Sequence, residues 1–194
     1  EAARMHSHPR PLLAIGRLVP IKGIDDILHA LALCPDVELH IAGDGPERER
    51  LEALASALGV TAVFHGVVRG EDKRRLLQSV ELWLFASRAM DGRHEGLPVS
   101  FLECAAAGAY PLVAALPGAR GLLHDPARQQ LREDRDPGAW AEQIQRELAS
   151  SPSARSYRAL AQRELVLDLS WERLGARWYE LLSEWAQPSM FSRR

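Results

Sequence analysis

The chain has 194 residues, of which 46% are hydrophobic and 26% are charged, and its 24 basic and 26 acidic residues leave a formal net charge of −2. This size and composition are typical of one globular domain, and the charge balance gives no basic footprint for nucleic acid. No apolar run approaches the roughly 18–20 residues of a membrane span, and the two cysteines, Cys34 and Cys104, lie in apolar patterns without zinc spacing, as reduced core thiols of a cytosolic protein do.

Apolar runs alternate with segments of helical periodicity along the first half of the chain. The short apolar runs are typical of buried parallel strands, and the helical segments carry apolar residues on one face. Pro35 ends the first helix and Gly59 caps the second. The predicted strands are 12–16, 37–42, 62–64 and 82–86, and the predicted helices are 24–34, 47–58 and 71–79.

The second half continues this alternation after a polar loop at 87–94. A helix is predicted from Pro98, which suits a first helical turn, to a stop at Gly108. A strand at 110–114 and a weak strand at 122–123 follow, while residues 125–136 are charged and poorly patterned. The last predicted helices are 137–150, 153–166 and 171–187, the final one with Ser170 as its N-cap.

The regular alternation of strands and helices predicts an α/β fold, a parallel sheet with helices on both faces. Ligands bind to such sheets at the carboxyl ends of the strands. Four polar or glycine-rich segments follow a predicted strand or begin a helix, so we expect all four at that edge. They are residues 17–22, 43–46, 66–68 and 95–98.

The stretch from Glu95 to Glu103 carries the chemistry that indicates a function. Gly96 lets the backbone come close to a ligand, and the free amides of the helix that begins at Pro98 form a positive pocket for an anion. Glu95 precedes this pocket, and the side chain of Glu103 leans back toward it along the helix. Carboxylates accept hydrogen bonds from hydroxyls, so amides for phosphate beside acids for hydroxyls indicate a nucleotide sugar.

This stretch resembles the E-x7-E signature of retaining GT-B glycosyltransferases of family 4, the "group 1" type. Three other motifs of the same pattern stand in matching order, GRLVPIKG at 16–23, GDGPE at 43–47 and FHG at 64–66. Together they cover residues from about 12 to 187. The resemblance implies the C-terminal, Rossmann-like half of a GT-B fold, which binds the sugar donor.

The resemblance implies three catalytic residues, Arg17, Lys22 and Glu95. Arg17 and Lys22 match residues that contact the donor diphosphate, where they neutralise the charge that grows on the leaving group. Glu95 matches the acid that contacts the transferred sugar. Enzymes of this kind are thought to react on the front face of the sugar, with the leaving phosphate assisting the incoming hydroxyl, so Glu95 is not assigned as a nucleophile.

The resemblance also implies a set of nucleotide-sugar-binding residues. Glu103 is expected to bind the two ribose hydroxyls, and Val68 to lie against the base, with an ordinary turn as the equal alternative for Val68. Gly43 either provides a close approach to the ligand or only serves its turn. The full predicted set is Gly16, Gly43, Val68, Gly96, Leu97, Pro98 and Glu103.

The domain assignment is a linker or cut edge at 1–11, the donor domain at 12–187 and a tail at 188–194. The expected partners are the N-terminal acceptor domain of the same polypeptide, a glycan or lipid-linked acceptor and the nucleotide sugar, and this half alone is expected to transfer little sugar. No metal or other cofactor is expected. A UDP-sugar is the first choice of donor and a GDP-sugar the second. The expected location is the cytoplasm, with the inner face of the cytoplasmic membrane as the alternative.

The predicted function is a retaining hexosyl- or related glycosyltransferase of polysaccharide, lipopolysaccharide or glycolipid biosynthesis. A non-catalytic nucleotide-sugar-binding module is one alternative, although the intact motif residues argue against it. A sugar-nucleotide epimerase is another, although the Gly-Leu-Pro sequence after Glu95 fits transferases better. Residues 117–121 depart from the family's usual Gly-Gly and acidic residue, so the identity of the donor sugar does not carry over.

Trp171, Trp178 and Trp185 recur every seven residues and form one apolar face of the last helix with nearby leucines. Such a face predicts core packing. In the family this helix often crosses to the partner domain, so an exposed part of the face would mark the seat of that domain.

Overall fold

A computed structural model describes residues 10–90, 99–114, 120–125, 129–131 and 135–185. Its strands form one sheet in the order β3-β2-β1-β4-β5, and every strand pair is parallel. The predicted α/β architecture is therefore confirmed. The strands are β1 Arg10–Ile15, β2 Val37–Ala42, β3 Ala62–Gly66, β4 Leu82–Phe85 and β5 Tyr110–Val113.

Helices connect the strands and complete the carboxyl-terminal part of the described chain. Side-chain oxygens cap several of them: Asp136 accepts from Gly138 N at 2.7 Å, and Ser151 accepts from Ala154 N at 3.2 Å. The helices are α1 Ile24–Leu31, α2 Arg48–Leu58, α3 Gly70–Ser79, α4 Val99–Ala107, α5 Pro137–Leu148, α6 Pro152–Leu167 and α7 Trp171–Trp185, with short 3₁₀ helices at Pro20–Lys22 and Arg120–Leu122.

The sheet separates two apolar cores. Helices α1, α2 and α5 cover one face around Leu12, Leu39 and Trp140, while α3, α4 and α6 cover the other around Trp83 and Phe101. Each of these five side chains is at most 1% exposed. Burial of one such side chain contributes about 1.5–3 kcal/mol, so the two cores fix the sheet and hence the positions of the strand ends.

Most predicted elements lie close to their observed positions. The strand predicted at 37–42 has the observed bounds of β2, and Gly59 caps α2 in the left-handed conformation as predicted. The predicted N-cap Ser170 accepts a hydrogen bond from Arg173 N at 3.4 Å. The central helix is observed as α4 from Val99, and its predicted first residue, Pro98, lies outside the described residues.

The weak strand predicted at 122–123 is wrong, because residues 120–122 form a 3₁₀ helix. The side chain of Gln162, which is fully buried on α6, takes the place of a strand partner. Its Nε2 donates to Leu122 O at 2.7 Å and its Oε1 accepts from His124 N at 2.9 Å. Because one glutamine side chain satisfies these backbone groups, the segment does not need hydrogen bonds to a neighbouring strand.

Residues 130 and 131, in the poorly patterned segment at 125–136, extend the sheet beside β5, which the sequence pattern did not predict. Leu131 N donates to Val113 O at 2.6 Å, and Gln130 pairs with Val113 in a parallel bridge. Gln129 is fully buried, and its Nε2 donates to Gln162 Oε1 at 2.9 Å. Buried amides joined in this way fix the segment against β5 and α6.

We call the end of the sheet where Ile15, Ala42, Gly66, Phe85 and Val113 lie the carboxyl edge, and the opposite end the amino edge. At the amino edge an ionic cluster holds the first residue of β1. Arg10 pairs with Glu81 and donates to Leu148 O, and Arg155 Nε lies 3.1 Å from Glu81 Oε2. The cluster therefore ties β1 to the ends of α5 and α6.

The ends of β1 and β2 touch through two glycines at the carboxyl edge. Gly16 N donates to Ala42 O at 2.9 Å, and Gly43 N donates to Gly66 O at 2.7 Å. Gly43 has φ +146°, and a Cβ on it would lie 1.8 Å from Gly16 O. No side chain fits at this contact, so position 43 is restricted to glycine.

The two cysteines are core residues, as predicted. Cys34 and Cys104 are buried free thiols, and burial raises the pKa of each above its usual value. Neither is therefore a reactive thiolate at neutral pH. Among the described residues, no helix combines the length and apolarity that a membrane crossing requires.

Neighbouring histidines form a polar cluster on β2 and β3. His40 Nδ1 lies 2.8 Å from His65 Nε2, and His40 Nε2 lies 2.9 Å from Glu38 Oε1. The two rings stack with centroids 5.1 Å apart. Burial and the charge of His40 lower the pKa of His65, while Glu38 acts in the opposite direction. The folded chain therefore binds a proton at His65 less readily than the unfolded chain does.

Replacing Gly43 by alanine is expected to destabilise the fold by at least about 3 kcal/mol, because the new Cβ meets Gly16 O and the backbone is strained at its φ. The matched control is Gly59→Ala, which also has a positive φ of +68° but no atom within 4 Å of its Cβ. The control should cost only about 1–2 kcal/mol. Urea unfolding measures both, and equal losses would contradict the steric constraint.

The histidine pair makes stability depend on pH in one direction. Since the pKa of His65 is lowered on folding, its contribution is complete above the unfolded value of about 6.5 and is lost as pH falls through the folded pKa. Urea midpoints between pH 8 and pH 5 should fall less steeply for His65→Gln than for the wild type. His29→Gln, an exposed change on α1, is the control, and equal slopes for all three proteins would refute the assignment.

Candidate functional site

The carboxyl edge of the sheet has a crevice where the strand order reverses. From β1 the chain proceeds to β2 and β3 on one side and returns to β4 and β5 on the other. The connections after β1 and β4 therefore diverge, and open α/β sheets bind ligands at such a point. The connections that border it begin at Gly16 and at Ala86.

Lys22 lies across this crevice. It ends the 3₁₀ helix Pro20–Lys22, and its Nζ lies 5.3 Å from the centroid of the Phe85 ring at the end of β4. The lysine stem lies beside Gly16, since a Cβ on this glycine would be 3.4 Å from Lys22 Cε, an ordinary contact distance. Lys22 therefore lies between the ends of strands β1 and β4.

Arg88 holds the segment that carries Lys22. Its backbone N donates to Ile21 O at 2.8 Å, and its Nε donates to Pro20 O at 2.8 Å. Its two terminal nitrogens reach the carboxylates of Asp25 and Asp26, each at 3.1 Å. The connection after β4 is therefore fastened to the connection after β1 on both sides of Lys22.

Two further arginines complete this ionic cluster. Arg135 Nε donates to Asp26 Oδ2 at 2.6 Å and its NH2 donates to Ala86 O at 2.7 Å, while Arg50 lies 3.4 Å from Asp25. Burial would raise the pKa of Asp25, but the hydrogen bond and charge of Arg88 and the charge of Arg50 hold it below its usual range. Asp25 is therefore ionised at neutral pH and anchors the cluster.

Gly23 follows Lys22 where these segments come closest. It adopts the left-handed conformation at φ +62°, and a Cβ on it would lie 2.2 Å from Ala86 O. Its N donates to Pro20 O at 3.2 Å, which closes the 3₁₀ turn. The second glycine of the GRLVPIKG motif is therefore required because the start of α1 comes close to the backbone that follows β4.

Arg17 presents a second cation at the same edge. Its side chain is exposed, and it makes no ion pair or side-chain hydrogen bond with any residue that the structure describes. The backbone around it is fixed, since Leu18 N donates to Asp44 O at 2.9 Å and Glu47 N donates to Leu18 O at 3.1 Å. Arg17 therefore starts from a fixed backbone, and its guanidinium is unpaired within the described part of the chain.

Glu103 and Val68 lie on the side of the edge that α3 and α4 cover. Val68 is half-buried and packs against the core that contains Phe101. Lys73 Nζ contacts both carboxylate oxygens of Glu103, at 2.7 and 2.6 Å. The fourth residue of α3 thus meets the fifth residue of α4, near the ends of these helices that follow the carboxyl edge.

The structure brings together part of the predicted site. Gly16, Lys22 and Gly43 are adjacent at the ends of β1 and β2, and the connection that carries Arg17 joins them. The predicted residues Glu95, Gly96, Leu97 and Pro98 lie outside the described residues, so their roles stay predictions.

Sequence reasoning missed two residues of this edge, Lys73 and Arg88. Lys73 lies in a charged helix that reads as a solvated face, and its partner is 30 positions away. Arg88 lies in a polar loop without a pattern. In the described part of the chain, no group of three histidine, cysteine or acidic side chains is placed to hold a metal ion.

These elements supply cations near a backbone-lined crevice and a carboxylate on its flank. Cations stabilise phosphate oxygens, and a carboxylate accepts hydrogen bonds from hydroxyls. The edge can therefore hold a ligand that combines phosphate with sugar hydroxyls.

Comparisons with known proteins agree with this arrangement. The chain is 34% identical to the lipopolysaccharide core biosynthesis glycosyltransferase LpsE of Rhizobium meliloti, over 50% of this chain and 27% of the relative. It is 30% identical to a GDP-mannose-dependent phosphatidylinositol monomannoside mannosyltransferase of Mycolicibacterium smegmatis, over 90% of this chain and 48% of the relative. The chain thus spans half or less of the length of these curated relatives.

Solved structures share the fold. The catalytic domain of the Helicobacter pylori cholesterol-alpha-glucosyltransferase superposes with a TM-score of 0.74 at 23% identity, covering 84% of this chain and 99% of that domain. The Anabaena HepE protein in complex with UDP gives a TM-score of 0.77 at 21% identity, covering 91% of this chain and 49% of that one. The predicted fold class, a Rossmann-like half of a GT-B glycosyltransferase, is confirmed.

The model of one protein family matches most of the chain. The match runs over residues 4–164, which include the five strands as well as Arg17 and Lys22. A match of this extent identifies the family, and the chain belongs to the glycosyl transferases group 1 family.

Proposed function

We propose that the chain is the donor-binding domain of a retaining, family 4 glycosyltransferase. It takes a sugar from a nucleoside diphosphate sugar and passes it to a glycan or lipid-linked acceptor in polysaccharide, lipopolysaccharide or glycolipid biosynthesis. The position of Lys22 across the β1–β4 crevice carries this proposal. Relatives named for lipopolysaccharide core and mannoside synthesis support the class of product. We place the enzyme in the cytoplasm or on the inner face of the cytoplasmic membrane.

In the proposed reaction the two cations act on the diphosphate. As the bond between sugar and phosphate breaks, negative charge grows on the leaving group. Lys22, held by the segment that Arg88 fastens, and the exposed guanidinium of Arg17 stabilise that charge. One well-placed donor of this kind lowers a barrier by about 3–4 kcal/mol, and the proposed reaction uses these two side chains rather than a metal ion.

The other proposed contacts fix the donor. Glu103 accepts hydrogen bonds from the ribose hydroxyls, and Val68 lies against the base. Glu95 contacts the transferred sugar, while the leaving phosphate assists the incoming hydroxyl on the same face, which preserves the configuration. Gly96, Leu97 and Pro98 line the phosphate and the sugar.

For the donor base we propose uracil, with guanine as the second choice. The name of the Anabaena structure includes UDP, and the name of the Mycolicibacterium relative includes GDP-mannose. The half-buried Val68 offers an apolar contact that either base accepts.

We further propose that α7 binds the acceptor domain of the complete polypeptide. From Trp171 to Ser183 no side chain is buried, and only Leu174 is half-buried. Trp171 is 88% exposed, Trp178 61% and Tyr179 75%. An aromatic helix face this exposed marks an interaction surface. The curated relatives are about twice as long as this chain or longer, which leaves room for a second domain in them.

Nucleotide binding tests the donor site. By titration calorimetry the chain should bind UDP. Glu103→Ala should weaken UDP and uridine binding by about tenfold or more, because a hydrogen bond to a charged group contributes about 1.5–3 kcal/mol. Lys22→Met should weaken UDP but leave uridine unchanged, since uridine has no diphosphate. GDP is the comparison ligand.

The matched control is Glu52→Ala, which removes an exposed carboxylate that pairs with Arg48 on α2. It should bind UDP as the wild type does. The proposed donor site would be contradicted if the wild type bound no nucleotide, or if neither Glu103→Ala nor Lys22→Met changed the affinity.

Hydrogen exchange tests the role of α7. In the complete polypeptide the amides of residues 171–185 should exchange at least about tenfold more slowly than in this chain, because docking adds to the free energy of local opening. The amides of α2 are the internal control. Equal exchange of α7 in both proteins would show that the second domain does not cover it.

A further inference from the structure

We propose that Lys73 is the positioning residue for Glu103, and that it holds this carboxylate ready for the two neighbouring hydroxyls of a nucleoside's ribose. This inference rests on the proposed donor site. It assigns to Lys73 a part in the discrimination between ribose and deoxyribose, which no motif in the sequence indicates.

The geometry joins the two side chains closely. Lys73 Nζ donates to Oε1 and Oε2 of Glu103 at 2.7 and 2.6 Å. Among the described residues, Lys73 is the only hydrogen-bonding partner of the Glu103 carboxylate. A contact to both oxygens fixes the plane of the carboxylate as well as its position.

Packing alone does not fix the carboxylate. The side chain of Glu103 is 39% exposed, although its neighbours Phe101 and Cys104 are fully buried in the core beneath. A glutamate with this exposure has several rotamers, and ordering them on ligand binding has an entropic cost. The lysine imposes one rotamer before the ligand arrives, which is how preorganisation raises affinity.

The pair is poorly suited to a purely structural role. Half-exposed ion pairs contribute little to stability, and α3 is already joined to the core by Leu76 and Leu77. Removal of the lysine charge should therefore leave the fold intact while freeing the carboxylate.

The bridge leaves the carboxylate able to accept further hydrogen bonds. An ionised carboxylate has about four lone-pair sites, and the ammonium takes one on each oxygen, so each oxygen keeps a free acceptor. A ribose hydroxyl can donate to such an acceptor. The proposed ligand is therefore a nucleotide with an intact ribose.

The other cations of α3 have different partners. Arg74 pairs with Glu71 at 2.6 Å, and Arg75 lies 3.2 Å from the same residue. Both are more than half exposed and neither contacts Glu103. Arg75→Met thus removes one charge from the same helix and serves as a matched control.

The test compares UDP with 2′-deoxy-UDP by titration calorimetry. Wild type should prefer UDP by about tenfold, as expected for one hydrogen bond to a charged group. Lys73→Met should reduce this preference to less than about threefold, because the carboxylate is no longer ordered. Lys73→Arg, which can also donate to both oxygens, should restore most of it. The ratio cancels any general effect of charge on diphosphate binding.

Each outcome decides one question. A preference that persists in Lys73→Met, or is lost equally in Arg75→Met, would overturn the positioning role. Tighter binding of UDP by Lys73→Met would also overturn it, because the bridge would then compete with the ribose. Failure of the wild type to bind UDP would instead count against the proposed donor site. Thermal unfolding of Lys73→Met within a few degrees of wild type confirms that the variant is folded.

Discussion

The contact between the ends of β1 and β2 is the constraint on which the carboxyl edge depends. A Cβ on Gly43 would lie only 1.8 Å from Gly16 O, so the segments that follow β1 and β2 meet through their backbones alone. The adjacent strands are joined by Gly16 N to Ala42 O and by Gly43 N to Gly66 O. Because this contact leaves no room for a side chain on Gly43, the positions of the segments that follow β1 and β2 are fixed relative to each other.

The charges around this edge are arranged in two groups with different tasks. Arg88 and Arg135 pair with Asp25 and Asp26 and donate to backbone carbonyls. They therefore fix the connections that follow β1 and β4. Lys22 lies against the Phe85 ring beside the crevice, and Arg17 is exposed. The proposed phosphate site relies on this division, since groups that act on a ligand work best when others hold their backbone in place.

Local patterns predicted the parts of the fold that local forces determine. The apolar run of β2 ends at glycine, and α2 ends at Gly59 in the left-handed conformation, so both bounds followed from residue type. The strand at 122–123 failed because a distant side chain, Gln162, satisfies its backbone. The sequence placed the motif glycines and Lys22 at the carboxyl edge because they follow strands, whereas it did not place Lys73 there because only the packing of α3 beside α4 brings it to Glu103. Such pairings depend on tertiary contacts that spacing does not encode.

The ionic cluster around Arg10 anchors β1 at the end of the strand that lies away from the crevice. It fixes the start of β1 at the amino edge, while the crevice lies at the other end of this six-residue strand. At 3.3 Å per residue the two points are about 20 Å apart. The cluster that anchors β1 and the cations near the crevice are therefore separated by the whole length of this strand.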